Sequence, residues 1–350
     1  MRRLPVYFLI DVSESMAGDP IEQVQEGMGS IIRELRRDPY ALETVWVSVL
    51  AFAGQAKTLA PLQEVLSFYP PRFPLGSGTS LSKGLGHLMY ELRKNFVPTT
   101  LEEKGDWKPI VFLFTDGVPT DNPSDLQAAI AEWKRNWQRK VNLVAISFGD
   151  NTDSRVLGEL TETVLLFKDT DQEAYKEFFK WVTASIQTSS KAVDTHPDGI
   201  ELAGSDGDTI SKIDLSKTDF KPPTVDPFIV LLAKCQNTKQ AYVIKYKKHV
   251  FADDSGDIGL DYRLVGAYKV DDTYFELADE QSSNLKVSTS KLMGFPSCPC
   301  CGNPYGIALD GTCGNIHCVG TEKVSTCPWC GNRASYSAGG DGFDINRAKG

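Results

Sequence analysis

The chain has 350 residues, of which 41% are hydrophobic and 24% charged, and it carries a formal net charge of −9 with a sequence pI of about 5.1. That length suits two domains rather than one, and the composition is that of an ordinary soluble globular chain. The acidic balance argues against a general binder of nucleic acid or anionic membrane, whose surface needs a local basic excess, and no stretch approaches the ~18 apolar residues of a membrane span.

Arg2 and Arg3 precede an apolar run, Val6 to Ile10, that stops at Asp11 without a small-residue cleavage pattern. It therefore reads as a first strand and not as a targeting segment. Ile21, Val24, Met28, Ile31, Ile32 and Leu35 then recur at helical spacing. Val45, Val47, Val49 and Phe52 return to strand character, and residues 57–68 read as another strand. Leu81, Leu85, Leu88, Met89 and Leu92 mark a second amphipathic helix, Ile110 to Phe114 a buried strand, and Leu126, Ile130, Trp133 and Trp137 a third helix. A strand at Val141 to Phe148, a short helix at 154–161, a strand at Val164 to Phe167 and a helix at Glu173 to Ser185 close the series. Continuous apolar strands alternating with amphipathic helices predict an α/β fold over residues 1–187, doubly wound and Rossmann-like, with a mostly parallel sheet covered on both faces.

Residues 188–225 are rich in Asp, Ser, Lys and Gly, contain Pro222-Pro223, and read as a polar linker. "SDGD" from Ser205 and "DDSGD" from Asp253 lack the glutamate that closes a calcium loop and read as turns. Residues 226–350 are β-like, with period-two alternation in "AYVIKYKKHVF" and "YRLVGAYKVDDTYFEL". The densest basic cluster, Lys245, Lys247, Lys248 and His249, falls on that alternation and reads as a solvated strand face. No internal repeat is evident, and the Gly- and Ser-rich tail after Ala334 reads as partly unstructured.

Two groups of residues carry chemistry. The first begins in "FLIDVSESMAG", where Asp11, Ser13 and Ser15 follow at alternate positions beyond the apolar strand. In an extended segment alternate side chains share a side, and in parallel sheets ligands sit beyond the carboxyl ends of the strands. One carboxylate and two hydroxyls form a hard oxygen set of the kind taken by Mg²⁺ or Mn²⁺. Thr79, in the Gly-rich "GSGTSL" loop, and Asp116, after the strand "IVFLFT", are placed to complete it. Taken alone, Asp11 and the serines would equally suit a helix cap. Glu14, inside the motif, is expected to face solvent.

The second group is thiol-rich. Of eight cysteines, Cys235 stands alone and seven crowd between Cys298 and Cys330. "CPCCG" at 298–302 and "CPWCG" at 327–331 are both C-P-x-C-G. A C-x₂-C turn points both sulfurs at one tetrahedral Zn²⁺, so Cys298, Cys301, Cys327 and Cys330 are expected to share one ion. Cys300, Cys313, His317 and Cys318 remain as ligands for a second zinc. Two objections stand against that second site. Neighbours on a strand, such as His317 and Cys318, point to opposite faces, and Cys300 lies inside the first knuckle.

The D-x-S-x-S of Asp11 to Ser15, the G-T-S-L of Gly78 to Leu81 and the T-D-G of Thr115 to Gly117 resemble the metal-ion-dependent adhesion site of the von Willebrand factor A domain. The resemblance covers about residues 5–187. It implies that Ser13, Ser15 and Thr79 approach the metal directly while Asp11 and Asp116 act largely through water. Few anionic ligands would then touch the ion, leaving it electrophilic toward an acidic or phosphorylated partner. The later stretches "KCQNTKQAYVIKY", "GAYKVDDTYF", "CGNIHC" through "CPWCGN", and "GFDI" resemble the TerY-C domain of the TerY family of tellurite-resistance gene clusters. One departure is visible: Gly311 stands where the family's C-x-C-G run has its first cysteine, so that Cys300 substitutes for it or the second site is weakened.

The resemblance implies a role in tellurite-resistance or stress signalling with a serine/threonine kinase and a metal-dependent protein phosphatase, and an electrophilic ion without a positioned base makes a non-enzymatic adaptor the expectation. Cytoplasm is the default compartment for thiols without a secretory signal. Only four histidines are present, His87, His196, His249 and His317, and none falls beside the oxygen motif as a catalytic base. The alternative class is a zinc-ribbon scaffold of a repair or transcription complex, against which the acidic balance counts. A hydrolase activating water at the oxygen-bound ion is a third.

Overall fold

The structure, a computed structural model, describes residues 2–102, 104–116, 118–148, 153–167, 172–192, 210–212, 227–252, 258–279, 285–322, 324–336 and 342–347. The chain divides into two compact units. One comprises residues 1–12, 19–73 and 79–223, and the other residues 13–18, 74–78 and 224–350.

The first unit runs β1 (Leu4–Asp11), α1 (Asp19–Leu35), α2 (Pro39–Thr44), β2 (Val45–Phe52), β3 (Ala56–Glu64), α3 (Leu81–Asn95), β4 (Ile110–Thr115), α4 (Pro123–Asn136), β5 (Asn142–Phe148), α5 (Ser154–Leu160), β6 (Val164–Phe167), α6 (Gln172–Ala192) and β7 (Ile210–Lys212). The strands form one sheet in the order β3-β2-β1-β4-β5-β6-β7. Strands β2, β1, β4, β5 and β6 are parallel, and β3 and β7 pair antiparallel at the two edges. Every residue of β1 is buried, as a central strand covered on both faces must be. Tyr7 and Leu9 pack on one face with Leu85, Leu88, Ile130 and Trp133. On the other, Phe8 stacks with Phe112, and Phe114 packs against Phe178 and Phe179 of α6.

Helix α2 carries little apolar periodicity and escapes a reading by pattern. Its start is instead fixed by Asp38, whose carboxylate accepts from the N–H groups of Tyr40 and Ala41, with Pro39 at the first helical position. Residues 188–192 of the expected linker are the last turn of α6, and 210–212 form β7; its other residues lie outside those described. The two acidic turns near Ser205 and Asp253 also lie outside them.

The second unit contains β8 (Phe228–Lys234), β9 (Ala241–Ala252), β10 (Ile258–Lys269), α7 (Thr273–Glu276), β11 (Lys286–Ser288), β12 (Leu292–Met293), β13 (Tyr305–Leu309), β14 (Ile316–Val319), β15 (Ser325–Thr326), β16 (Arg333–Ala334) and β17 (Asp344–Asn346). A mixed sheet has the order β12-β10-β9-β8-β14-β13, and β11–β17 and β15–β16 are separate small pairs. The tail expected to be partly unstructured contributes β17, while residues 337–341 and 348–350 lie outside the description. Ile229, Leu231, Tyr242 and Ile244 share one buried cluster with Cys235, Cys298 and Cys318, so thiols are built into the core of this unit.

Helices α1 and α6 cross at Gly27, where an added Cβ would lie 2.1 Å from the Phe179 ring. Gly27→Ala is expected to destabilise the first unit by about 1–3 kcal/mol through overpacking, read as a lowered denaturant midpoint.

Candidate metal centres

The first centre belongs to the carboxyl edge of the parallel sheet. Strands β1 and β4 pair with Ile10 opposite Phe114, so Asp11 and Thr115 leave the sheet side by side. The Thr115 hydroxyl donates to Asp11 Oδ2 at 2.7 Å. Asp116 follows directly and is half-buried. Thr79 is buried and tied to the loop after β4 twice: its N–H donates to Thr120 Oγ1 at 2.9 Å, and the Thr120 N–H donates to its carbonyl at 2.8 Å. Asp121 then holds the start of α3, accepting from the Ser80 hydroxyl at 2.6 Å and the Leu81 N–H at 2.8 Å. Thr115 entered the sequence reading only as part of the T-D-G run, and Thr120 and Asp121 were not singled out. Their signal is faint, a run of short polar residues after a buried strand.

Ser13 and Ser15 follow Asp11 in the chain, and their hydroxyls lie 2.9 Å apart. Ser13 precedes a single 3₁₀ turn, Glu14–Met16, but its side chain makes no capping hydrogen bond. The helix-cap alternative therefore fails for this residue. Hydroxyls and carboxylates are the donors that a hard divalent cation such as Mg²⁺ takes, and Asp11, Thr79 and Asp116 offer them in the first unit and Ser13 and Ser15 in the second.

Two expectations about neighbouring residues are corrected. Glu14 is buried, not solvated, and its carboxylate accepts from the Tyr274 hydroxyl in the second unit, to which residues 13–18 belong. Lys245 is only 3% exposed, so it is not part of a solvated strand face: its ammonium donates to the carbonyls of Ser15 and, at 3.1 Å, Ala17. Lys247, two residues on and on the same face of β9, is exposed, and Lys248 is half-buried.

The thiols assemble differently from expectation. Ligand atoms gather in two groups, each within 4.8 Å: Cys235, Cys298, Cys301 and Cys318 in one, Asp310, Cys313, Cys327 and Cys330 in the other. The two C-P-x-C-G knuckles thus serve different centres and do not share an ion. The reason is local turn geometry. In Cys298–Asn303 the first N–H donates to the sixth carbonyl at 2.8 Å and the fifth N–H to the first carbonyl at 2.9 Å, with Gly302 at φ 77°. Cys327–Asn332 repeats this at 2.8 and 3.0 Å with Gly331 at 79°, and Asp310–Asn315 at 3.0 and 2.8 Å with Gly314 at 70°. The turn aims its first and fourth side chains at a common point. Residues 310–315, "DGTCGN", are therefore a third knuckle with aspartate in the first ligand place.

A fourth turn of the same kind spans Cys235–Gln240, with hydrogen bonds of 2.8 and 3.0 Å and Lys239 at φ 62°. Only its first residue offers a thiol. Strand β14 supplies the complement, since it pairs parallel to β8 with His317 opposite Lys234, bringing Cys318 beside Cys235. Cys301 and Cys318 sulfurs stand 3.8 Å apart, as do those of Cys313 and Cys327. A tetrahedron with Zn–S of about 2.3 Å has edges of about 3.8 Å, so both groups fit zinc. Burial raises the Cys235 thiol, but the hydroxyl and N–H of Thr238 bring it down to about 6, favouring the thiolate that a metal needs.

Cys300 and His317 belong to neither group. Burial, with Cys298 and Cys235 nearby, pushes the Cys300 thiol up to about 12. His317 is buried with Nδ1 2.9 Å from the Cys318 carbonyl and Nε2 2.9 Å from the Tyr336 hydroxyl. Burial holds its proton affinity below the ordinary histidine value. Tyr336 in turn donates to Asp310 Oδ2 at 3.1 Å, so His317 supports a ligand instead of being one. The missed ligands were Cys235 and Asp310. The threefold "CGN", at 301–303, 313–315 and 330–332, is an internal repeat, and it would have exposed Asp310.

A parallel α/β sheet with oxygen donors at its carboxyl edge, followed by a β-rich module with two knuckle-built clusters, defines a two-domain metal-binding protein. Comparison with known families matches residues 6–181 to the von Willebrand factor type A domain and residues 226–350 to the TerY-C metal binding domain. The chain belongs to the von Willebrand factor type A family and carries the domain pairing of TerY proteins. Among curated relatives, inter-alpha-trypsin inhibitor heavy chain H1 of Bos taurus is 26% identical over 154 residues, 43% of this chain and 17% of that protein. The human counterpart is 26% identical over 159 residues, again 43% of this chain and 17% of that protein. The match thus spans about a sixth of the length of these relatives. A von Willebrand factor type A structure from Catenulispora acidiphila aligns at TM-score 0.42 and 14% identity, over 80% of this chain and 69% of that one. Proximal thread matrix protein 1 from the mussel byssus, with a zinc-occupied MIDAS motif, aligns at TM-score 0.37 and 16% identity, over 54% and 46%.

Elemental analysis of the purified chain is expected to find two zinc ions per molecule. Cys318→Ala should lose one of them and Cys300→Ala none; loss on replacing Cys300 would refute the grouping.

Proposed function

We propose that this protein is a non-enzymatic adaptor that binds an acidic or phosphorylated protein through a divalent cation, Mg²⁺ or Mn²⁺, held by Asp11, Ser13, Ser15, Thr79 and Asp116. The observation that carries this reading is the paired hydroxyls of Ser13 and Ser15, 2.9 Å apart, directly after a strand-end carboxylate fixed by Thr115. An ion held mainly by neutral hydroxyls keeps its charge for a ligand, and an anionic side chain or phosphate supplies it. The protein would contribute the placing of oxygens, and the ion the electrostatic attraction.

Adaptor is favoured over hydrolase by where the bases are. His87 Nε2 lies 2.8 Å from the Thr58 hydroxyl, on α3 and β3, and His249 pairs with Asp261 at 3.1 Å. His317 supports the second thiol group, and His196 lies outside the described residues. The pairing with a TerY-C domain supports a role in tellurite-resistance or stress signalling, with a serine/threonine kinase and a metal-dependent phosphatase as partners. A cytoplasmic setting fits the wealth of thiols. No helix among the described residues is long and apolar enough to cross a membrane.

Calorimetric titration with Mg²⁺ is the direct test. Asp11→Ala and Ser13→Ala are expected to weaken Mg²⁺ binding at least tenfold. Binding to the partner kinase or phosphatase should fall in parallel and be lost on chelation. Partner affinity indifferent to chelator and to Asp11→Ala would end this reading.

A further inference from the structure

The two thiol groups are chemically unequal. The first is four sulfurs, three of them on buried residues, set among Ile229, Leu231 and Tyr242 in the core of the mixed sheet. The second is three sulfurs and one carboxylate, with Cys330 exposed and Cys313 half-buried. Its Cys327 and Cys330 sit on the turn between β15 and β16, a pair of two-residue strands apart from the main sheet. Its other two ligands sit on the turn between β13 and β14. Opening this centre requires movement of turns only, whereas opening the first disturbs the core.

Asp310 adds a second asymmetry. Its Oδ1 occupies the place of a knuckle sulfur, accepting the N–H groups of Thr312 and Cys313, both at 2.9 Å, and lies 3.5 Å from Cys330 Sγ. Its Oδ2 accepts from Asn332 at 3.2 Å and Tyr336 at 3.1 Å. The carboxylate is fully buried, yet four protein donors satisfy it whether or not a metal is present. In the four-sulfur centre the Cys235 and Cys318 sulfurs also accept, from the N–H groups of Thr238 and Gln236, both at 3.3 Å, but at the longer distances of a sulfur acceptor. Zinc is also a borderline-soft ion that thiolate holds better than carboxylate. Loss of the ion from this centre therefore leaves less behind uncompensated than loss from the four-sulfur centre.

We propose that the centre formed by Asp310, Cys313, Cys327 and Cys330 holds an exchangeable zinc ion, given up to competing ligands while the Cys235, Cys298, Cys301 and Cys318 centre keeps its own, and that Asp310 sets this difference. The step is ligand exchange without redox change: donor atoms of the competitor replace the protein's, the thiolates take protons from solvent, and the Asp310 carboxylate remains on its hydrogen bonds. The first ion is then structural and the second available to a zinc acceptor. The proposal is independent of the magnesium-dependent adaptor reading and is read on zinc alone.

The test uses the full-length, zinc-loaded chain and the chromogenic chelator 4-(2-pyridylazo)resorcinol at pH 7. Zinc release is expected in two phases of one equivalent each, the faster at least ten times the slower. Cys330→Ser should abolish the fast phase. Asp310→Cys, which makes the second centre all-sulfur, should slow that phase at least tenfold and leave the slow phase unchanged. Asp310→Asn, which retains an oxygen acceptor but not the charge, should accelerate it. Cobalt substitution gives a second readout, with thiolate-to-cobalt charge-transfer intensity rising from seven sulfurs to eight in Asp310→Cys. Release of both equivalents at one rate, a single equivalent in the wild type, or a fast phase untouched by Asp310→Cys would overturn the proposal.

Discussion

Parallel strand pairing places the donors in both units. A strand buried on both faces has no room for a charged side chain along its length, so polar chemistry is confined to where the backbone leaves the sheet. In the first unit, the register of Ile10 with Phe114 sets Asp11 against Thr115 and makes Asp116 the next residue out. In the second, the register of Lys234 with His317 sets Cys235 beside Cys318. Shifting either register by one residue would turn each of these side chains to the opposite face. The apolar sequences of the strands therefore fix the ligands as firmly as the ligand residues themselves.

The two donor sets also sort their ions. Hydroxyls and carboxylates favour hard cations that keep part of their hydration, while thiolates favour zinc and exclude magnesium. Each knuckle presents its ligands through backbone hydrogen bonds that exist before any metal arrives, so the turn is prepared and the ion completes it. Ligation contributes on the order of 10–16 kcal/mol of apparent free energy in small zinc modules. That is comparable to the whole stability of a domain, and it offsets the modest core available to a unit whose strands β11 to β17 are each five residues or shorter.

The α/β alternation was legible because continuous apolar strands and amphipathic helices are local patterns. The D-x-S-x-S run was legible as polar residues at alternate positions beyond a buried strand. What escaped depends on distance along the chain. Cys235 looked solitary because its partner in the sheet lies in β14, and Asp310 drew no reading because it is not a cysteine. Glu14 and Lys245 were assigned to solvent by alternation and composition, but each finds a partner far away in sequence, Tyr274 for one and the carbonyls of Ser15 and Ala17 for the other. The mistaken pairing of the two C-P-x-C-G knuckles came from treating resemblance between turns as proximity in space.

The spacing of ligands along the chain carries a consequence for assembly. Asp310, Cys313, Cys327 and Cys330 close a loop of only a few turns, whereas Cys235 must wait for a stretch of chain running to Cys298 and beyond before its centre can form. Closing a short loop loses less chain entropy, and it happens sooner. The carboxylate-containing knuckle pair can therefore nucleate during folding as a local unit. The all-sulfur centre is the late clasp that joins strand β8 to β14.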